Sequence, residues 1–494
     1  MRRQSIIFMF CILAASILTA QVDETKKSYI RVGSLQSHFS AWGSERAWNN
    51  SYYEGLRWPA DYSYQDNAVI KRSWLGVEDF TDADGYHWDH YGLYFSLGYV
   101  GLGIFPMELT QTAKFLSPTI YVDGNDLSSI YLSDIDEVNP DQVPDRIVRN
   151  VVNTSMGLTM ERTVYAFSQQ YHDNYFIKIF TFTNTGNTDY DDDIELTDTL
   201  RGVRIGWGTR YNGGREAGWA IGDGQSWGKH TWVTRRGEDY ALHAMETITE
   251  ANPIVDWIRC GFAWAGQTTR NAFDNLGGPD VSNNGRLTSP HHVGSAVLHV
   301  DISATDSSDD VNQPVFNGWH AGDTYPGVGN LQPSDELNMQ KLYSMLSGNP
   351  YLNKGGNERF DEVYSDVQDP FTVHNDAGGT NVMMTYGPYD LAPGESVTIV
   401  EAEGINGLSR EMCETIGNRW KQAYDNSSDN GPFPLPDGST TSDKDVYKDT
   451  WFFTGKDSIL LTFSRAKRNY DSGFQIPQPP QPPTLFDVQS GGDR

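Results

Sequence analysis

The sequence predicts a mainly β protein, with an antiparallel β-sandwich body made of two packed sandwiches and a few short helices. Alternating β-branched and aromatic segments recur in the middle of the chain, as in half-buried strands. The 494 residues include 48 Gly and 23 Pro, which indicate many turns. Aromatic residues, at 14 Trp, 26 Tyr and 22 Phe, supply the apolar area for a core.

Three strands are the clearest. Residues 158–165 alternate, residues 175–182 are β-branched and aromatic, and the turn residues 184–187 follow the second of these runs. Pro393 and Gly394 form a later turn that leads into a strand over residues 397–402. This order is typical of an antiparallel meander.

Two helices are predicted against this β background. Ser334 caps a helix that runs to about residue 347, and Gly348 ends it. Ser409 caps a second helix to about Tyr424, whose apolar stripe includes Cys413 and faces the core.

The N-terminus has the layout of a secretory signal peptide. Arg2 and Arg3 precede an apolar run over residues 6–18, and Ala20 is the expected last residue removed. No later stretch approaches the roughly 18 apolar residues that span a bilayer. We therefore expect a secreted or cell-surface protein without a transmembrane span.

The formal net charge of −28 disfavours binding to nucleic acid or to anionic lipid, because like charges repel. The same surface attracts divalent cations. Removal of the signal peptide leaves Cys260 and Cys413, which in an exported chain form either one disulfide or two buried thiols.

Composition divides the chain into five regions. An acidic, proline-containing connector ends near residue 145, and the tract at residues 476–483 predicts a stiff spacer. The predicted regions are a signal peptide at 1–20, an aromatic-rich β region at 21–145, a β-sandwich domain with two helices at 146–472, a Pro-rich linker at 473–483 and the start of a truncated fibronectin type III-like domain at 484–494.

Several of these segments carry a resemblance to a known group. The capped helix at 334–348, the phrase at 386–396 with its strand and following helix, and the phrase at 180–186 resemble secreted bacterial multidomain surface proteins. The proline spacer with residues 486–493 is similar to the entry of a fibronectin type III domain. The resemblance is architectural; it implies a β-sandwich surface protein and transfers no catalytic residue.

One loop predicts a calcium site. Asp82, Asp84 and Asp89 place three carboxylates and Gly85 within eight positions, and hard oxygen ligands on a tight loop suit Ca²⁺. The alternative is a solvated acidic turn. A second run, Asp189 with Asp191 to Asp193 and Glu195, suits either an ion or a charged edge that blocks aggregation, and the second interpretation is favoured.

An aromatic segment over residues 42–64 predicts a glycan platform, because exposed rings stack on sugar faces while polar neighbours meet the hydroxyls. The alternative, favoured for any single ring, is an aromatic core in a chain short of aliphatic residues. The candidate rings are Trp42, Trp48, Tyr52, Trp58 and Tyr62.

The local context of each candidate motif does not support a catalytic role. The G-x-S-x-G match at 224–228 lies among glycines and before a strand, unlike the strand–turn–helix elbow of hydrolases. The pairs His87/His90 and His291/His292 lack the spacing of a helical zinc site. Carboxylate pairs such as Glu45 with Glu54 or Asp61 with Asp66 are expected by chance among 65 acids.

These observations predict a non-enzymatic structural or binding module of a multidomain surface protein, serving adhesion, glycan contact or assembly. Its predicted partners are a surface glycan or neighbouring surface proteins. The alternative is a carbohydrate-active enzyme or its accessory β-sandwich domain.

Overall fold

A computed structural model describes most of the chain and confirms the mainly β, antiparallel fold class. The described residues are 22–45, 55–62, 64–95, 103–128, 134–214, 216, 228–234, 258–265, 271–320, 336–347 and 380–491. The predicted signal peptide, Ser334, Gly348 and the serine of the G-x-S-x-G match lie outside them.

A ten-stranded sheet forms the centre of the described structure. In sheet order its main path is β13 (Gly228–Thr234), β14 (Arg259–Ala265), β15 (His291–Ser303), β19 (Ser396–Gly407), β11 (Tyr175–Asn184), β10 (Leu158–Ala166), β9 (Arg146–Thr154), β5 (Ile104–Ala113) and β8 (Glu137–Val138), with β16 (Asp306–Asp309) beside β15.

A five-stranded antiparallel sheet lies against it, in the order β17 (Val315–His320), β18 (Thr380–Leu391), β12 (Leu200–Tyr211), β3 (Ala68–Thr81) and β4 (His87–Phe95). The smaller sheets are β1 (Lys27–Ile30) with β2 (Ser37–Ser40), β20 (Phe433–Pro434) with β21 (Thr440–Thr441), and β22 (Leu485–Val488) with β6 (Thr119–Val122) and β7 (Asn125–Asp126).

The described residues include three helices: α1 (Glu336–Leu346), α2 (Arg410–Asp425) and α3 (Lys444–Asp471). The predicted cap of α2 is confirmed, since the Ser409 side chain accepts from the backbone N–H of Met412. No helix in the described ranges is both long enough and apolar enough to cross a bilayer.

Alternation along β11 shows how the layers pack. Phe180 and Phe182 face the five-stranded sheet, where they join Trp207 in the largest core cluster. Tyr175 and Ile177 point to the opposite face, where α3 covers the large sheet. The body therefore has a two-sheet core, with a helix on the outer face of the larger sheet.

Strands from both sides of residue 145 pair in the same sheet, because β5 is antiparallel to β9. The two predicted regions therefore share one sheet and part of one core.

The C-terminal strand lies against the body. β22 pairs in parallel with β6, and the backbone N–H of Asp123 donates to the Val488 carbonyl at 2.9 Å. Lys114 donates to Gln478 in the proline tract at 2.5 Å. The segment that was predicted to start a further domain, residues 484–494, contains strand β22, which extends a hairpin of the aromatic-rich region.

Helix α3 contains a glycine at a close contact. A Cβ added to Gly455 would lie 2.4 Å from Nδ1 of His292, a buried residue of β15. In a helix interior, replacing glycine by alanine normally stabilises the helix by about 1 kcal/mol. Here we expect Gly455→Ala to lower the free energy of unfolding by about 1–3 kcal/mol, because the methyl group overpacks the interface. Urea unfolding of the variant measures this.

Val446→Ala is the matched control on the same helix. Val446 is 44% exposed, so this substitution changes helix propensity and leaves the interface with the sheet unchanged. We expect equal or slightly higher stability for it. A Gly455→Ala variant that unfolds no earlier than the parent would contradict the steric argument.

Candidate functional site

The loop between β3 and β4 is a hairpin turn. Asp82 Oδ1 accepts from the backbone N–H groups of Asp84 and Tyr86, at 3.1 and 2.8 Å, and its Oδ2 accepts from Trp88 Nε1 at 2.9 Å. The carboxylate of Asp89 is 95% exposed. The predicted calcium ligands Asp82, Asp84 and Asp89 are not among the described residues whose ligand atoms lie within 4.8 Å of one another, and the Asp82 carboxylate shapes the turn.

A different acidic group converges. In the described ranges, Asp189, Asp191 and Glu195 are the residues whose potential ligand atoms lie within 4.8 Å of one another. Asp189 Oδ1 accepts from the backbone N–H of Asp191, and Glu195 Oε2 accepts from the backbone of Thr188. These hydrogen bonds shape the loop through its own residues. Calcium binding by this chain stays a prediction.

The candidate glycan rings separate into two groups. Trp42 packs half-buried against the largest core cluster, and Trp58 is 9% exposed beside His291. Tyr62 is 40% exposed. For the two tryptophans the core interpretation holds, whereas Tyr62 has the exposure that a platform requires; Trp48 and Tyr52 lie outside the described residues.

The loop at residues 56–67 positions Tyr62. Its ends meet through the backbone N–H of Asn67, which donates to the Leu56 carbonyl, and Trp58 donates in the same way to Gln65, each at 3.0 Å. The Arg57 guanidinium donates twice to the Tyr62 carbonyl, at 2.9 and 2.7 Å. The backbone at Tyr62 is therefore held by Arg57 at the base of the loop.

One arginine packs on the ring, and further polar side chains bond to the loop that carries it. Arg410, the first residue of α2, places its guanidinium carbon 4.5 Å from the centre of the Tyr62 ring. Glu216 pairs with Arg286 and accepts from Gln65 Nε2 at 3.0 Å, and its backbone N–H donates to Tyr64. We call Tyr62, Gln65, Glu216, Arg286 and Arg410 the Tyr62 patch.

The electrostatics of the Tyr62 patch are those of fixed, paired charges. Burial disfavours the charge on Arg286, but the hydrogen bond and charge of Glu216, with the nearby Cys413 and Glu414, together outweigh this and raise the pKa of the guanidinium. Below the patch, burial raises the pKa of the Cys413 thiol to about 12. The patch thus offers hydrogen-bonding edges and one aromatic ring, and no reactive nucleophile.

The two cysteines are buried thiols in separate core clusters. Cys260 lies in β14 within the cluster under α3, and Cys413 lies in α2 beside Ile416 and Phe433. Of the two alternatives for these cysteines, one disulfide or two buried thiols, the structure has the two buried thiols.

A second polar centre lies inside the body and was missed by the sequence analysis. Lys178 donates to Glu45 and, at 2.5 Å, to Glu403, while Arg162 lies 3.3 Å from Glu45. Tyr386 donates to Glu401 at 2.5 Å. These buried groups form the central ion cluster: Glu45, Lys71, Arg162, Lys178, Glu401 and Glu403.

Three acids and three bases compensate one another in this cluster. Burial opposes the charge on Lys71, but Glu403, Glu45 and Glu401 together raise its pKa above the usual value. All six residues are at most 2% exposed. Glu45, one of the carboxylates considered for a glycosidase, is therefore committed to internal ion pairs.

Comparisons with known proteins do not place the chain in a family. No protein-family model matches the chain, and no curated protein matches it. A solved structure of a putative aldose 1-epimerase from Escherichia coli K12 matches 78% of this chain and 99% of its own, at 10% identity and a TM-score of 0.24. A likeness at this level carries no argument about function.

Proposed function

We propose that the chain is a secreted, non-enzymatic binding module that contacts glycans through the Tyr62 patch. The observation that carries this proposal is the exposed Tyr62 ring, backed by Arg410 and carried on a loop that also binds Glu216, the partner of Arg286. The export signal and acidic composition predicted from the sequence agree with an extracellular binding role.

Each part of the patch has a function in sugar recognition. The free face of Tyr62 stacks on the C–H face of a pyranose ring, while Arg410 on the ring limits its motion. The partly exposed planar groups of Glu216 and Arg286 present acceptors and donors to vicinal hydroxyls, and the buried Gln65 amide holds Glu216 in place. Because these groups already bind one another, little side-chain ordering remains to oppose binding.

The proposal is tested with the chain from residue 21 on affinity gels that contain xylan, laminarin, alginate or hydroxyethylcellulose. We expect retardation by at least one polysaccharide and about tenfold weaker binding for Tyr62→Ala, equivalent to about 1.4 kcal/mol of lost stacking. Tyr62→Trp should retain binding, because the stacking face remains.

Tyr171→Ala is the matched control. Tyr171 is 55% exposed and also lies over an arginine, Arg465, but it is not part of the Tyr62 patch. Equal losses for the two alanine variants, or no retardation on any gel, would reject the proposal.

The alternative function, a carbohydrate-active enzyme, is separated from binding by product analysis. After prolonged incubation with the retained polysaccharide, we expect no new reducing ends. The buried acids Glu45, Glu401 and Glu403 form ion pairs with buried lysines, and Glu216 forms one with Arg286. Release of sugars that is lost in a Glu216→Gln variant would establish the enzyme instead.

A further inference from the structure

The start of α3 contains a buried lysine between two aspartates. Lys448 is fully buried, and its Nζ lies 2.9 Å from Oδ1 of Asp274 and 2.5 Å from Oδ1 of Asp449. Asp449 is 2% exposed, and Asp274 belongs to the loop before β15. A basic and two acidic side chains therefore meet in a place that is nearly closed to water.

The backbone of Leu276 fixes both partners. Its carbonyl accepts from Lys448 Nζ at 2.8 Å, and its N–H donates to Asp274 Oδ1 at 3.0 Å. The first contact orients the amine, and the second places a donor where negative charge would develop on the carboxyl oxygen during attack.

Two carboxylates, those of Asp274 and Asp449, face the single ammonium of Lys448. Burial raises the pKa of Asp449 to about 7, against the opposing effect of Lys448. Burial lowers the pKa of Lys448, but Asp449 and Asp274 outweigh this and raise it, so the amine reacts only after it passes a proton to a carboxylate. The central ion cluster differs, because its three acids are balanced by three bases.

We propose that Lys448 and Asp274 form an intramolecular isopeptide bond, with Asp449 as the acid–base group that moves the protons. Asp274 is the acceptor because it is distant in sequence and bound by the Leu276 N–H, whereas Asp449 is adjacent to Lys448 in the chain. The bond would tie α3 to a loop 174 positions earlier.

The step is balanced without a co-reactant. Lys448 loses a proton through Asp449 to the Asp274 carboxylate, which gives a neutral amine and a carboxylic acid. The amine attacks Cγ of Asp274, and Asp449 carries a proton from the nitrogen to the departing hydroxyl. One C–N bond forms, one C–O bond breaks and one water leaves.

Proximity makes such a step feasible inside a folded protein. Intramolecular reactions between well-oriented groups reach effective concentrations of about 10⁵ M or more, and exclusion of water limits the reverse hydrolysis. Folding brings the groups together, so the bond should form only after α3 docks.

Intact-mass measurement of the denatured chain from residue 21 tests the proposal. We expect a mass lower than that calculated from the sequence by one water, and a branched peptide that joins the segments with Asp274 and Lys448 after proteolysis. Lys448→Arg and Asp274→Ala should restore the calculated mass, and Asp449→Asn should leave the bond largely unformed.

Lys444→Arg is the control on the same helix, because Lys444 pairs with Asp445 at the surface and should leave the mass deficit unchanged. A parent chain with the full calculated mass would overturn the proposal, even if every variant failed to fold. A deficit mapped to Lys178 and a glutamate of the central ion cluster would also overturn it.

Discussion

Replacing Lys178 by methionine is expected to lower the free energy of unfolding by about 3–5 kcal/mol, because it leaves buried carboxylates without their cation. Lys178 is fully buried and contacts both Glu45 and Glu403. Methionine fills a similar volume, so the loss reports uncompensated charge more than a cavity. Urea unfolding at neutral pH measures the change.

Two variants separate this effect from other causes. Removing one acid as well, in Lys178→Met/Glu403→Gln, should recover much of the loss, since Glu45 and Glu401 then remain balanced by Arg162 and Lys71. Lys467→Met breaks an exposed pair with Asp471 and should cost at most about 1 kcal/mol. A cost below that value for Lys178→Met would contradict the role given to the cluster.

The cluster also links the core to the proposed binding site. Glu45 follows β2, and its carboxylate binds Lys178 and Arg162 of the large sheet. The same N-terminal segment pairs with the loop of the Tyr62 patch, because Gln36 and Arg57 exchange backbone hydrogen bonds. The internal ion pairs therefore help to place the loop that presents Tyr62.

Local patterns predicted the local elements. The alternation at 158–165 and 175–182 corresponds to β10 and β11, and the turn at Pro393 leads into β19 as expected. Helix α3 escaped detection because polar residues such as Asp457, Thr462 and Asn469 are buried along with its apolar ones. A helix buried on several sides shows no single apolar stripe.

The sites were less predictable, because they depend on residues far apart in sequence. Tyr62 was a candidate from its aromatic neighbourhood, but only the fold brings Arg410 to its ring and Glu216, with Arg286, to its loop. Nothing in the local sequence distinguishes Lys448 from a solvated lysine. A charged residue inside a strongly apolar strand, as at Lys178, is the one available signal.

Acidification is expected to destabilise the protein between about pH 6.5 and pH 4. Burial lowers the pKa of His291 to about 4 and that of His292 to about 3, from an ordinary value of 6.5. The Pro290 carbonyl lies near the His292 ring without a well-aligned hydrogen bond. Both rings stay neutral in the folded chain while the unfolded chain takes up protons.

The direction of the pH dependence follows from these lowered pKa values. The stabilisation is complete above pH 6.5 and is lost as the pH falls toward the pKa of the folded state. Each histidine contributes about 1.4 kcal/mol per pH unit, or about 3 kcal/mol over the window. His172, whose pKa burial lowers to about 4, acts in the same direction. Asp449 opposes them, because its raised pKa favours proton uptake by the folded chain.

The slope of unfolding free energy against pH isolates one residue. His292→Leu keeps a similar volume among Phe262, Trp264 and Phe452, and should reduce the slope between about pH 6.5 and pH 4 by one proton. Lys456, the nearby cation, has a pKa lowered by burial to about 8 and titrates outside this window. His87→Leu, at a side chain 55% exposed, is the control. Equal slopes for the parent and His292→Leu would mean that the ring already carries its proton in the folded state, and the helix–sheet interface at Gly455 would then have to accommodate a buried charge.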